Sequence, residues 1–154
     1  MSLIEAMKSV VIAKTKVELE ISRLSRYSQA GDAAVSQALT QLYTLEYVLE
    51  RIYLRLNTLV VASYLDWASL ALMVNMLKHA ISRLGHLPPE IASQLIAIEG
   101  ALYDLWANVE GPTDEDAERQ LAQANDEARK IIAEAEEAAK RSRSGSLATP
   151  LGQA

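Results

Sequence analysis

The chain has 154 residues, of which half are apolar and none is Cys or Phe. That is enough for one domain with a real core, and it excludes a disulfide framework, a thiol catalyst and a thiolate metal site. The formal charge of −5 argues for solubility and names no partner. The charge is uneven, with residues 1–30 at a net +2, residues 31–112 at −4 and residues 113–154 at −3. A contact with an anionic surface therefore belongs at the N-terminal end. The most apolar run, Leu54 to Leu77, is interrupted by Arg55, Asn57, Asp66 and Asn75, unlike a membrane span. The opening residues lack the order of a charged start, an unbroken apolar run and a cleavage site that marks a signal peptide.

The spacing predicts a first helix over residues 3–28. Leu3, Met7, Val10, Lys14, Val17, Ile21 and Leu24 step by four and three, the seam that keeps one helix face against another. Lys14 is the polar member of this seam, expected to bend its ammonium outward to water. Ala30-Gly31-Asp32 breaks the pattern; Gly31 suits a left-handed cap and Asp32 an N-cap. So short a break between seamed helices implies an antiparallel hairpin.

The second helix, from about Ala33 to Val61, carries the longest seam: Val35, Ala38, Leu42, Leu45, Leu49, Ile52, Leu56 and Leu59. At ~1.5 Å per residue, Val35 to Leu59 spans about 38 Å. Glu46, Glu50, Arg51 and Arg55 lie off the seam and form like-charge pairs along their own helix, so they are candidates for contacts with other helices or subunits. Asp66 is a cap for a third helix, with Leu65 and Leu70 at staple spacing. Its seam is Leu70, Val74, Leu77, Ile81 and Leu84 before Gly85. Pro88-Pro89 opens a fourth helix with Ile91, Leu95, Ile98, Leu102, Leu105 and Val109, closed by Gly111-Pro112. Thr113 caps a fifth, whose seam is Ala117, Leu121, Ala124, Ala128, Ile131, Ala135 and Ala138. So alanine-rich a face predicts loose packing, or docking on demand. From Arg143 to Ala154 the composition is that of a disordered tail.

The fold class expected is thus all-α: a long antiparallel helical hairpin with additional helices packed along it. Its domains are a core over 1–112, an alanine-rich charged helix over 113–142 and a tail over 143–154. His79 and His86 have no carboxylate at ligand spacing, and no phosphate loop, nucleophile elbow or zinc signature occurs. The expectation is no enzyme, no cofactor and no metal. Trp67 and Trp106 read as core or interface anchors.

The run Leu49-Glu50-Arg51-Ile52-Tyr53-Leu54-Arg55-Leu56-Asn57-Thr58 resembles the Leu-Glu-x-Val-x-x-Arg-Leu-Glu-Thr signature of archaeal ESCRT-III proteins, the CdvB family. The apolar third helix, the Pro89-Glu90-Ile91 turn and a helix ending near Trp106 extend the resemblance over about residues 42–110. The hairpin is shorter than in the family, and no winged-helix region follows. The resemblance implies a cytoplasmic, membrane-peripheral protein that polymerises with itself and with paralogues in division or membrane remodelling, and is disassembled by an AAA ATPase. Leu147-Ala148-Thr149-Pro150-Leu151 is the one candidate for an ATPase-binding motif. Leu49, Glu50, Ile52, Arg55, Leu56 and Thr58 would carry the motif and assembly. Lys8, Lys14, Lys16, Arg23 and Arg26 would meet an anionic membrane; nucleic acid is not expected. The alternative is a soluble helical-bundle adaptor or coiled-coil oligomer without a membrane role.

Overall fold

A computed structural model describes residues 2–26 and 33–148, with residues 143–148 described by backbone alone. Five helices follow in order: α1 (Leu3–Ser25), α2 (Ala33–Ala62), α3 (Trp67–Arg83), α4 (Pro89–Ala107) and α5 (Asp114–Ala148). The described residues form no strand. The Ala30-Gly31-Asp32 turn and residues 149–154 lie outside the described residues, as do the side chains of the Leu147–Leu151 candidate up to Ala148. The α5 backbone continues to Ala148, past the Ser142 end expected for it. The Arg143–Ser146 stretch is therefore helical rather than the start of a tail.

Local chemistry sets the helix ends. Ser2 caps α1, its hydroxyl oxygen accepting from the Glu5 N–H at 3.1 Å. Asp66 caps α3 as expected, accepting from the Ser69 N–H at 2.8 Å, with Leu65 packed on the core and Leu70 fully buried beside it. Pro89 occupies the first turn of α4, where its missing N–H costs nothing. At the end of α2, Ser63 takes a left-handed φ of 53°. The Tyr64 N–H bonds Leu59 O at 3.2 Å and the Ser63 N–H bonds Val60 O at 3.1 Å, the paired bonds of a Schellman cap. Glycine ordinarily fills that left-handed position; here serine does.

α1 and α2 run antiparallel. Lys14 faces Glu50, and Glu18, one turn further along α1, faces Glu46, one turn back along α2. The seam of α2 is buried from Leu42 to Leu59, with Leu42, Leu45, Leu49, Ile52 and Leu56 at 1% exposure or less, while Val35 and Ala38 are only half-buried. On α1 the buried line is Ala6, Val10, Ala13, Val17 and Ile21, while Leu3, Met7 and Leu24 are only partly buried.

The packing order around the molecule is α1, α2, α5, α3, α4 and back to α1. Direct contact between α2 and α3 is sparse, because α5 lies between them. α5 runs antiparallel to α2, with Glu134 beside Tyr47 and the Arg119–Glu127 turns beside Arg55. It runs parallel to α3, pairing Asn125 with His79 and Glu136 with Arg83. The expectation of loose packing is corrected here. Ala124, Ala128, Ile131, Ile132, Ala135 and Ala139 are all buried, because methyl-sized side chains let three helices approach closely at one line. The buried line also turns toward Ile132 and Ala139, leaving Ala138 half-buried.

Candidate assembly and membrane surfaces

The motif segment of α2 divides by face. Leu49, Ile52 and Leu56 point into the core and are fully buried. Glu50 reaches across the hairpin to the Lys14 ammonium, which stays partly exposed at the hairpin edge. That hydrogen bond, opposed by partial burial and helped by Glu18 and Glu46, holds the Lys14 pKa above its ordinary 10.5. Beside it, burial first and the negative charge of Glu18 second push the Glu46 carboxyl up from its ordinary 4.5. Of the off-seam acids of α2, Glu50 thus serves the contact with α1, while Glu46 meets a like charge there. Arg51 lies over the Tyr47 ring, 5.8 Å from its centroid.

Arg55, partly buried, borders an open groove of about 700 Å³ where α2, α3 and α5 meet. Asp66, Ser69, Arg119, Gln123 and Glu127 share its walls, so both signs of charge face it. Thr58 is exposed and its hydroxyl donates to Leu54 O at 3.1 Å. Arg55 and Thr58 thus present polar groups away from the hairpin interface, as do the exposed Arg51 and Asn57 of the same run.

Three polar contacts fasten α5 at its flanks. The Tyr47 hydroxyl donates to Glu134 at 3.5 Å, His79 Nε2 meets Asn125 Oδ1 at 2.8 Å, and Arg83 donates to Glu136 at 3.0 Å. The last is an exposed pair, of the kind worth little on its own. The docking energy of α5 therefore resides in its alanines and two isoleucines.

Of the five basic residues expected at a membrane, Lys8, Lys16 and Arg26 are exposed on α1. Arg23 is exposed and bonded to Glu20 at 2.6 Å, which lowers the Glu20 pKa. Lys14 is paired with Glu50 at the partly exposed edge of the hairpin. The structure also brings forward residues that sequence reading passed over: Ile4, Val11, Ile12 and Leu19, all on the outer face of α1 and 46–66% exposed. Their sequence signal is the weaker one, because Lys8 and Thr15 interrupt the stripe where the Leu3–Leu24 seam stays mostly apolar.

Trp67 and Trp106 stack at 5.4 Å between ring centroids, and Tyr103 meets Trp106 edge-on at 5.6 Å, an anchor between the start of α3 and the end of α4. Gly111 lies against the Trp67 ring so closely that a Cβ there would sit 2.6 Å from Nε1. The His86 N–H donates to Gln41 at 2.9 Å. Among the described residues, no group of three or more His, Asp and Glu side chains is arranged to hold a metal ion, and no helix is long and apolar enough to cross a membrane.

No family model, curated protein or solved structure matches the chain.

Proposed function

We propose that this chain is a non-catalytic, self-assembling scaffold of the ESCRT-III type, acting in the cytoplasm at a membrane surface during remodelling or division. The observation that carries the proposal is the placement of α5. It lies between α2 and α3 over the helix bearing the Leu49–Thr58 motif, held by small apolar side chains and flank contacts. Its release uncovers two long apolar edges at once, and a neighbouring subunit can supply the missing helix at little net cost. In this reading α5 holds the chain in a closed state. Paralogues of similar helices and an AAA ATPase are the partners expected, and Lys8, Lys16, Arg23 and Arg26 supply the charge for an anionic bilayer.

The test uses the full chain with Ala128→Glu, which places a carboxylate at a fully buried point of the α5 contact and expels the helix. Sedimentation and negative-stain electron microscopy, with and without phosphatidylserine vesicles, should show ordered polymers where the parent chain stays in solution. A chain whose α5 amides exchange freely, yet which stays monodisperse with and without vesicles, overturns the proposal. The closed α2 seam, complete within one chain, favours a soluble helical adaptor as the second reading, and that outcome would establish it.

A further inference from the structure

The outer side of α2 carries two arginines that the bundle does not use. Arg51 and Arg55 stand one turn apart on the same side of the helix, and the start of α3 brings Ser69 beside them. With Leu54, Thr58 and Leu59 they line an open pocket of about 320 Å³, whose only charged members are the two guanidiniums. Among the described residues, neither arginine pairs with a carboxylate. Two cations four apart on one helix repel each other, and here nothing in the chain neutralises them.

The nearby acids are otherwise placed. Asp66 and Glu127 border the larger groove that adjoins the pocket at Arg55 and Ser69, and neither lines the pocket itself. The Asp66 carboxylate is committed to the Ser69 N–H as the cap of α3, and Glu127 belongs to the α5 wall. Arg51 lies over the Tyr47 ring, a contact that holds the guanidinium in place without cancelling its charge. Leu54, 51% exposed, gives the pocket an apolar surface beside its two cations.

We infer that this pocket binds a phosphate monoester, with the phosphoryl group taken by Arg51, Arg55 and the Ser69 hydroxyl and the organic body laid on Leu54. The donor set selects that chemistry. A guanidinium presents paired N–H groups that match two phosphoryl oxygens. Two guanidiniums match the charge of about −1.5 to −2 that a monoester carries near neutral pH. A diester or a single carboxylate carries one charge and would leave one arginine without a counter-ion. The volume is at the low end for small-molecule pockets, which suits a small ester. Soluble esters and the headgroup of phosphatidic acid share this group, and the pocket reads the group they share. The pocket is formed by α2 and α3 alone, so the inference does not depend on self-assembly.

The test titrates the full chain with phenyl phosphate above pH 7, where the ester is a dianion, and follows the arginine Nε–H signals by NMR. The expected result is saturable shifts of Arg51 and Arg55 with a Kd on the order of 1 mM. Both side chains are at least partly exposed, so their substitution leaves the core intact. Arg51→Gln and Arg55→Gln should each weaken binding about tenfold, and Arg55→Lys, which keeps the charge and loses the fork, should weaken it less. Arg129→Gln, on the exposed side of α5, should leave it unchanged. Sedimentation with phosphatidic-acid vesicles then identifies the source. Pelleting that both Arg55→Gln and added phenyl phosphate reduce assigns the pocket to the lipid headgroup. Saturable binding of phenyl phosphate, with pelleting that neither change affects, assigns it to a soluble ester. Either result supports the inference. The absence of saturable shifts at Arg51 and Arg55, even at ten times the expected Kd, overturns it. So does an equal loss of binding in Arg129→Gln, which would make the effect one of net charge.

Discussion

If α5 is a detachable member of the bundle, it must open without the hairpin opening. Ile132→Ala tests this at the centre of its contact. Ile132 is 1% exposed, and truncation removes three carbons, about 0.8 kcal/mol each by transfer. The void left between α2 and α3 adds to this, for a total of ~2–4 kcal/mol. At ~1.4 kcal/mol per decade, the midpoint of that range accelerates hydrogen exchange of α5 amides roughly 150-fold. The decisive partner is Val17→Ala. Val17 is fully buried on α1, and α1 packs mainly on α2 and α4 rather than on α5. This change removes two carbons for ~2 kcal/mol and should speed exchange in α1 and α2 while leaving α5 amides untouched. Both measurements come from one exchange experiment read by mass spectrometry. If Val17→Ala accelerates α5 by the same factor as α1, the five helices open as one cooperative unit, and the reasoning about release is refuted.

Ser63→Gly should stabilise the protein by about 1 kcal/mol, because it removes the cost of a left-handed φ on a residue with a Cβ; a thermal midpoint unchanged or lower would contradict the cap. Gly100→Ala should add about 0.5–1 kcal/mol to α4, since the new methyl meets open space. Gly111→Ala should cost roughly 1–3 kcal/mol and shift tryptophan emission, as the Trp67 ring is pushed from its stack. Glu46 binds its proton more tightly folded than unfolded, so its contribution to stability falls as pH rises from 4.5 through its raised pKa and is unfavourable above it. Glu46→Gln should therefore raise the melting temperature at pH 7, with the gain vanishing at pH values below 4.5; a gain independent of pH would exclude charge as the cause.

The helices themselves were legible because their ends carry chemistry: side-chain capping by Asp66 starts α3, and the fixed φ of Pro89 suits the first turn of α4. The α2 seam was legible because its large side chains recur without interruption. The partner of Lys14 was not, since an ion pair across two helices depends on the hairpin register and not on local spacing. The tight seat of α5 was hidden for a different reason. Alanine contributes little hydrophobic signal per residue, yet its small size is what lets one helix approach two others. The exposed stripe of α1 was hard to see because Lys8 and Thr15 divide its apolar residues, so its periodicity is broken where that of the inner seam is not.

Serine at a left-handed cap and alanine at a three-helix line are small departures, but the order of packing has a larger consequence. α5 sits between α2 and α3, which barely touch each other, and it follows both in the chain. As the protein is synthesised, the helices from α1 to α4 leave the ribosome before the one that joins their flanks. During that interval the edges of α2 and α3 are open to any helix of the right shape nearby, including one from an adjacent nascent copy. If the chain self-assembles as proposed, the moment of birth is an opportunity for subunit exchange, and the rate at which α5 emerges and folds sets how long it lasts.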